Sequence, residues 1–131
     1  MGIWLENTTN YYELRIYREY AMKKIEAIIR PHKLDEVHSA LLDAGFSSLT
    51  VIEGYGKQKG HKENYRGSEF NVEFVPNIKL ELICDDDKTE KAISIIISSA
   101  KTGFMGDGKI FVFPIEETIR IRTEETGVAA L

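Results

Sequence analysis

The sequence predicts an α+β domain made of two strand–helix–strand halves, and three observations predict it. Two stretches carry apolar residues at helical spacing and each stops at a glycine. Each is flanked by short runs rich in β-branched or alternating apolar residues, which read as strands. Between the halves lies a polar, glycine-punctuated segment from Gly54 to about Pro76, too long for an ordinary connection. This order is the ferredoxin-like split βαβ arrangement (βαββαβ), with both helices on one face of an antiparallel sheet. The uncovered face of such a sheet needs burial, which predicts an oligomer.

Each element has its own warrant. "KKIEAIIR" is isoleucine-rich and ends at Pro31, as a strand should. "HKLDEVHSALLDAG" sets Leu34, Val37, Leu41 and Leu42 on one helical face and stops at Gly45. "SSLTVIE" is the second strand, and "NIKLELIC" alternates Ile78, Leu80 and Leu82 as a half-buried third. "DDDKTEKAISIIISSAKTG" opens on acidic residues that complement a helix dipole and closes on Lys101 and Gly103. "KIFVFPI" and "TIRIRT" read as closing strands. The aromatic-rich leader, residues 1–21, changes character abruptly at Met22, which could itself be the functional start; we expect a peripheral, poorly ordered extension.

Bulk properties narrow the function. With 131 residues the chain makes one domain, and its net charge of −4 argues against general binding to nucleic acid or to an anionic membrane. The single cysteine, Cys84, excludes an internal disulfide and suits a reducing, cytoplasmic setting. No apolar run approaches the roughly 20 residues that span a bilayer, so direct membrane insertion is not expected. His32, His38 and His61 are too scattered for a metal-ligand set, and Cys84 has no neighbouring histidine to activate it.

One stretch carries chemistry. "KTGFMGDGKIFVF" contains G-x-x-x-x-G-K from Gly103, but Ile110 stands where a P-loop needs a hydroxyl. A helix precedes the stretch and a strand follows it, the reverse of the P-loop order. Two readings stay open: a helix cap with a glycine turn, or a phosphate cradle of another kind. In the second, glycine amides and Lys109 face an anion together. Arg120 and Arg122, two apart in "IRIRT", would share one face of a strand and suit phosphate groups, or else form surface salt bridges.

At "MKKIEAIIRPHKLDEV", "GYGKQKGHKENYRGSEF" and "KTGFMGDGKIFVFPIEETIRIRT" the chain resembles the PII signal-transduction family, from Met22 to Leu131. The resemblance implies a homotrimer that binds ATP and ADP competitively between subunits, without being primarily a catalyst. Magnesium would accompany ATP. Residues 101–109 would be the B-loop, meeting phosphates through Gly106, Asp107, Gly108 and Lys109. The base and sugar would meet Ile28, Gly54, Tyr55, Gly56 and Ile83, with Lys57 and Gln58 beside them. A neighbouring subunit would add Thr50, Arg120 and Arg122. Residues 55–74 would be the T-loop, offering Lys59, His61, Tyr65, Arg66, Ser68 and Phe70 to a partner, a membrane transporter or a nitrogen-metabolism enzyme.

Three departures from the family pattern matter. Asn77 stands where relatives that sense 2-oxoglutarate have lysine, so a weak or absent response is expected, although Gln58 is retained. Phe70 replaces the tyrosine that is uridylylated in many bacterial relatives, and so has no hydroxyl to modify. Between Thr50 and Gly56 the chain is two residues short, which preserves the alternation of strand faces but rebuilds the T-loop base. A conventional PII sensor with 2-oxoglutarate in a rearranged pocket is the alternative reading. A nucleotide hydrolase lacks an evident general base, and a ligand-free structural trimer leaves the glycine cradle unexplained.

Overall fold

The structure, a computed structural model, describes residues 21–57, 62–65, 68–71 and 74–131. The leader up to residue 20, Gln58, Lys59, His61 and Arg66 lie outside the described residues. The strands are β1 (Met22–Ile29), β2 (Thr50–Lys57), β3 (Lys62–Tyr65), β4 (Ser68–Asn71), β5 (Phe74–Asp85) and β6 (Lys109–Ile115). Helix α1 (Leu34–Asp43) follows β1, and α2 (Thr89–Ala100) follows β5, each entered through one turn of 3-10 helix.

β2, β5, β1 and β6 form one sheet in that order, with every neighbouring pair antiparallel. This is the expected ferredoxin-like βαββαβ topology, with β3 and β4 paired as a separate hairpin inside the long central segment. Tyr65 lies on β3, and Ser68 and Phe70 on β4.

Alternation along the strands fixes which face the helices cover. Ile25, Ala27 and Ile29 of β1 and Ile78, Leu80, Leu82 and Cys84 of β5 are buried together with Val37, Leu41, Ala92 and Ile96 of the helices. Burying a side chain of the Ile or Leu class contributes about 1.5–3 kcal/mol, so this single layer is the main stabilising feature. Cys84 is one of its small members: its Sγ lies 3.8 Å from Thr89 Oγ1, and burial pushes its thiol pKa up.

Among the described residues, no helix covers the opposite sheet face. Lys24 and Glu26 of β1 and Lys79 and Glu81 of β5 form a lattice of contacts between 3.2 and 3.9 Å. Partial burial pushes the Glu26 carboxyl up, but hydrogen bonds and charge from Lys24 and Lys79 outweigh it and leave its pKa lowered. Ile52, Ile83, Phe111 and Phe113 stand exposed around the lattice, and Lys24 Nζ sits 4.8 Å from the centre of the Phe113 ring.

Two expectations are corrected. "TIRIRT" is not a strand: Ile119 bridges Thr126, and the chain turns back through Ile121–Thr123. Arg120 N–H donates to Glu125 O at 2.9 Å and Glu124 N–H to Arg120 O at 2.8 Å, with Glu124 at φ 60. The alternating residues therefore close on their own tail instead of adding to the sheet, and Arg120 and Arg122 do not share a strand face. In addition, the segment starting at Gly54 does not begin a loop. β2 continues to Lys57, paired with β5 as far back as Phe74.

Candidate functional site

One cleft exists because neighbouring strands differ in length. β1 ends where Ile29 pairs with Ile78, while β5 and β2 run on together to the Lys57–Phe74 pair. Pro76 falls in this overhang, where β1 no longer pairs, a place that tolerates a residue without an N–H. On the other side stands the loop from Lys101 to Gly108, between α2 and β6.

Gly108 sets that loop against the end of β1. Its φ is +109, and a Cβ there would lie 1.7 Å from the Ile28 carbonyl oxygen, so only glycine fits. Asp107 organises the loop from within. Its Oδ2 accepts from the backbone N–H of Thr102 and of Gly103, each at 2.9 Å. Its Oδ1 accepts from the Thr102 hydroxyl and from Arg30 Nε, the latter at 3.2 Å. The Thr102 hydroxyl foremost, then the two amides and Arg30, hold the Asp107 carboxyl well below the usual carboxylate range. Arg30 also donates from Nη2 to the Met105 carbonyl at 2.6 Å.

Between the overhang and the loop is a cleft of about 680 Å³. Five of the residues nominated from sequence line it: Ile28, Gly56, Gly106, Gly108 and Lys109. Lys109 has no ion-pair partner among the described residues. Asn77 lines it too, with its carboxamide laid across the two glycines of β2. A Cβ on Gly56 would be 2.5 Å from Asn77 Nδ2, and one on Gly54 would be 3.3 Å from Asn77 Oδ1. Gly54 and Tyr55 lie alongside on β2, with Tyr55 exposed.

Thr50 and Ile83 are elsewhere. They line a second cleft, also of about 680 Å³, with Lys24, Glu81 and the carboxy-terminal residues Val128, Ala130 and Leu131. Arg120 is tied to Glu125 Oε1 at 3.2 Å and donates to the Leu131 carbonyl at 2.9 Å, while Arg122 is exposed in the turn. Within one chain, therefore, the five residues of the first cleft are apart from Thr50 and Ile83 in the second, and Arg120 and Arg122 line neither. Arg30, His32, Val75 and Phe111 line the first cleft without having been nominated. Nothing local in the sequence marks Arg30, because its partner Asp107 is 77 residues away.

A ferredoxin-like domain with a glycine-rich loop packed on its first strand is the class these features define. The model of the nitrogen regulatory protein P-II family matches residues 22–125, and the chain belongs to that family. It is 57% identical over 112 residues to the nitrogen regulatory protein P-II of Mesorhizobium japonicum and 56% identical to that of Rhodospirillum rubrum. Each match covers 84% of this chain and the whole of the relative. The P-II protein of Nostoc punctiforme is 53% identical over the same share. Among solved structures, Arabidopsis thaliana PII bound to citrate superposes with a TM-score of 0.70 at 39% identity, covering 84% of this chain and 89% of that one. Among the described residues no helix is long and apolar enough to cross a membrane.

Proposed function

We propose that this chain is a non-catalytic, cytoplasmic regulator that binds ATP and ADP competitively in clefts between the subunits of a homotrimer. The nucleotide bound would set the conformation of the T-loop, residues 55–74, and through it the state of a membrane transporter or a nitrogen-metabolism enzyme. The observation that carries this reading is the glycine loop beside the first cleft. There a backbone that only glycine permits lies next to Lys109, a cation without a partner among the described residues. Those residues suit the phosphates of a nucleotide, and the amides and Lys109 would supply the counter-charge.

The separation of Thr50 from the first cleft is what the intersubunit reading expects. Ile28, Gly106, Gly108 and Lys109 line one cleft and Thr50 another, so a complete site would need a contribution from each of two copies; Ile83, expected beside Ile28, lies with Thr50 instead. The uncovered sheet face, with its charge lattice ringed by Ile52, Ile83, Phe111 and Phe113, offers a surface for such packing.

The same reading expects energy sensing with weak or no response to 2-oxoglutarate. Asn77 brings a neutral carboxamide to the cleft wall, which gives a dianion no counter-charge. Calorimetry with ATP and with ADP, on protein whose mass is measured by native mass spectrometry, tests the whole. Expected are a trimer, saturable binding of each nucleotide, and displacement of one by the other. A trimer that binds neither nucleotide would reject the reading. Strong 2-oxoglutarate binding in the presence of Mg-ATP would reject its second half.

A further inference from the structure

A carboxylate in the middle of an anion cradle is a contradiction that the loop geometry resolves. Asp107 stands between Gly106 and Gly108, where its charge would repel phosphate if it faced a ligand. Instead both of its oxygens are engaged within the protein. Oδ2 takes the amides of Thr102 and Gly103, and Oδ1 takes the Thr102 hydroxyl and Arg30 Nε. Thr102 Oγ1 in turn accepts from the Phe104 N–H at 3.2 Å, so the network runs along the whole tip of the loop.

Arg30 closes the same network from outside. It follows the last residue of β1 and is followed by Pro31, which opens a 3-10 turn, so its backbone is held on both sides. Its guanidinium reaches two loop groups at once, Asp107 Oδ1 at 3.2 Å and the Met105 carbonyl at 2.6 Å. In a trans peptide the C=O and the following N–H point in opposite directions. Capturing the Met105 carbonyl therefore fixes the direction of the Gly106 N–H. The neighbouring backbone is equally constrained, with Gly106 at φ +100 and Gly108 at φ +109 against the Ile28 carbonyl.

We infer that Arg30, Asp107 and Thr102 form a latch that presets the glycine loop in its anion-binding shape. Asp107 is then a positioning residue, and its carboxylate makes no ligand contact. Arg30 is the second positioning residue, and its fork of donors is what a lysine cannot copy. The inference rests on the proposed nucleotide site for its ligand, and on the loop geometry alone for the latch.

A double-mutant cycle tests it, using ATP and ADP calorimetry on the full chain with Arg30→Lys, Asp107→Asn and both together. Each single change is expected to weaken both nucleotides by a similar factor, about tenfold, the scale of losing a charge-assisted hydrogen bond. The double variant is expected to be no weaker than the worse single, because one latch can be broken only once. Losses that multiply would overturn the inference. So would an Asp107→Asn effect confined to Mg-ATP, which would mark a carboxylate in contact with the ligand.

A second readout keeps the latch testable if those variants are poorly folded or if the wild type binds no nucleotide. In nucleotide-free wild-type protein, the Thr102 and Gly103 amide protons, both bonded to Asp107, should exchange with solvent more slowly than those of an open loop. Exchange of both at the unprotected rate would sink the latch. If both are protected but the wild type binds neither nucleotide, only the functional reading fails.

Discussion

The two halves of this fold repeat the same path, strand to helix to strand, yet their helix-to-strand connections are held by opposite forces. After α1 the chain turns at Gly45, with φ +94, and its next residue drops into the core. Phe46 is buried, and its N–H donates to the Leu41 carbonyl at 2.9 Å. After α2 the chain leaves the core altogether. Phe104 and Met105 are 76% and 77% exposed, and a carboxylate and a guanidinium fix the loop in place of an apolar anchor. An apolar plug packs its turn against the helices and sheet. A polar latch leaves backbone amides and Lys109 at the surface, where a ligand can reach them. One topology can thus secure equivalent helix-to-strand turns in two ways, by an apolar plug or by a polar network.

The sharpest way to break the first connection is to empty its anchor. Phe46→Ala should destabilise the protein by about 3–5 kcal/mol, read as a shift in the urea midpoint. The glycines then separate the two turns. Gly45→Ala meets nothing within 4 Å, so it carries only the strain of a positive φ, about 1 kcal/mol. Gly108→Ala adds a collision with the Ile28 carbonyl, so the loop must move. Its stability loss should exceed that of Gly45→Ala in the same denaturation series, and ATP binding should fall below detection by calorimetry. Smaller again is Lys109→Gln, which leaves the loop shape alone. It should weaken ATP by about tenfold, and ADP by less, with little change in stability. Equal effects on stability from Gly45→Ala and Gly108→Ala would remove the distinction between the turns.

How much of this could be read in the sequence follows the same division. The apolar half was legible, because periodicity and a stopping glycine announce α1 and α2, and alternation announces β5. Gly106, Gly108 and Lys109 stood out through their spacing, and the structure brings all three to the wall of one cleft. The latch was not, since Arg30 meets Asp107 only once β1 and the α2–β6 loop are adjacent, and no local signal encodes that meeting. β2 was cut short for a related reason. "GYG" reads as a break, but Asn77 from β5 fills the space its missing side chains leave, and the strand continues. "IRIRT" failed in the other direction. Its alternation is that of a strand, yet Glu125 and the Leu131 carbonyl draw Arg120 back into a closed turn.

The electrostatic hold also predicts a pH response that the apolar turn should lack. Asp107 has its folded pKa lowered, led by the Thr102 hydroxyl, from an unfolded value near 3.8. Above that value both states are ionised, and the contribution of the latch to stability is fully present. Below it the unfolded chain takes up a proton while the folded loop still resists, so unfolding becomes easier as the pH falls. The loss continues until the folded carboxyl itself protonates. Stability should therefore show no slope from this group between pH 8 and 5, and a decline setting in below about pH 4. Asp107→Asn should flatten that acid-side decline relative to the wild type, whereas Phe46→Ala should lower the whole curve without changing its slope. Urea denaturation at a series of pH values reads both. Parallel curves for wild type and Asp107→Asn through the acid range would mean that the carboxylate is no more tightly held in the folded loop than in the unfolded chain.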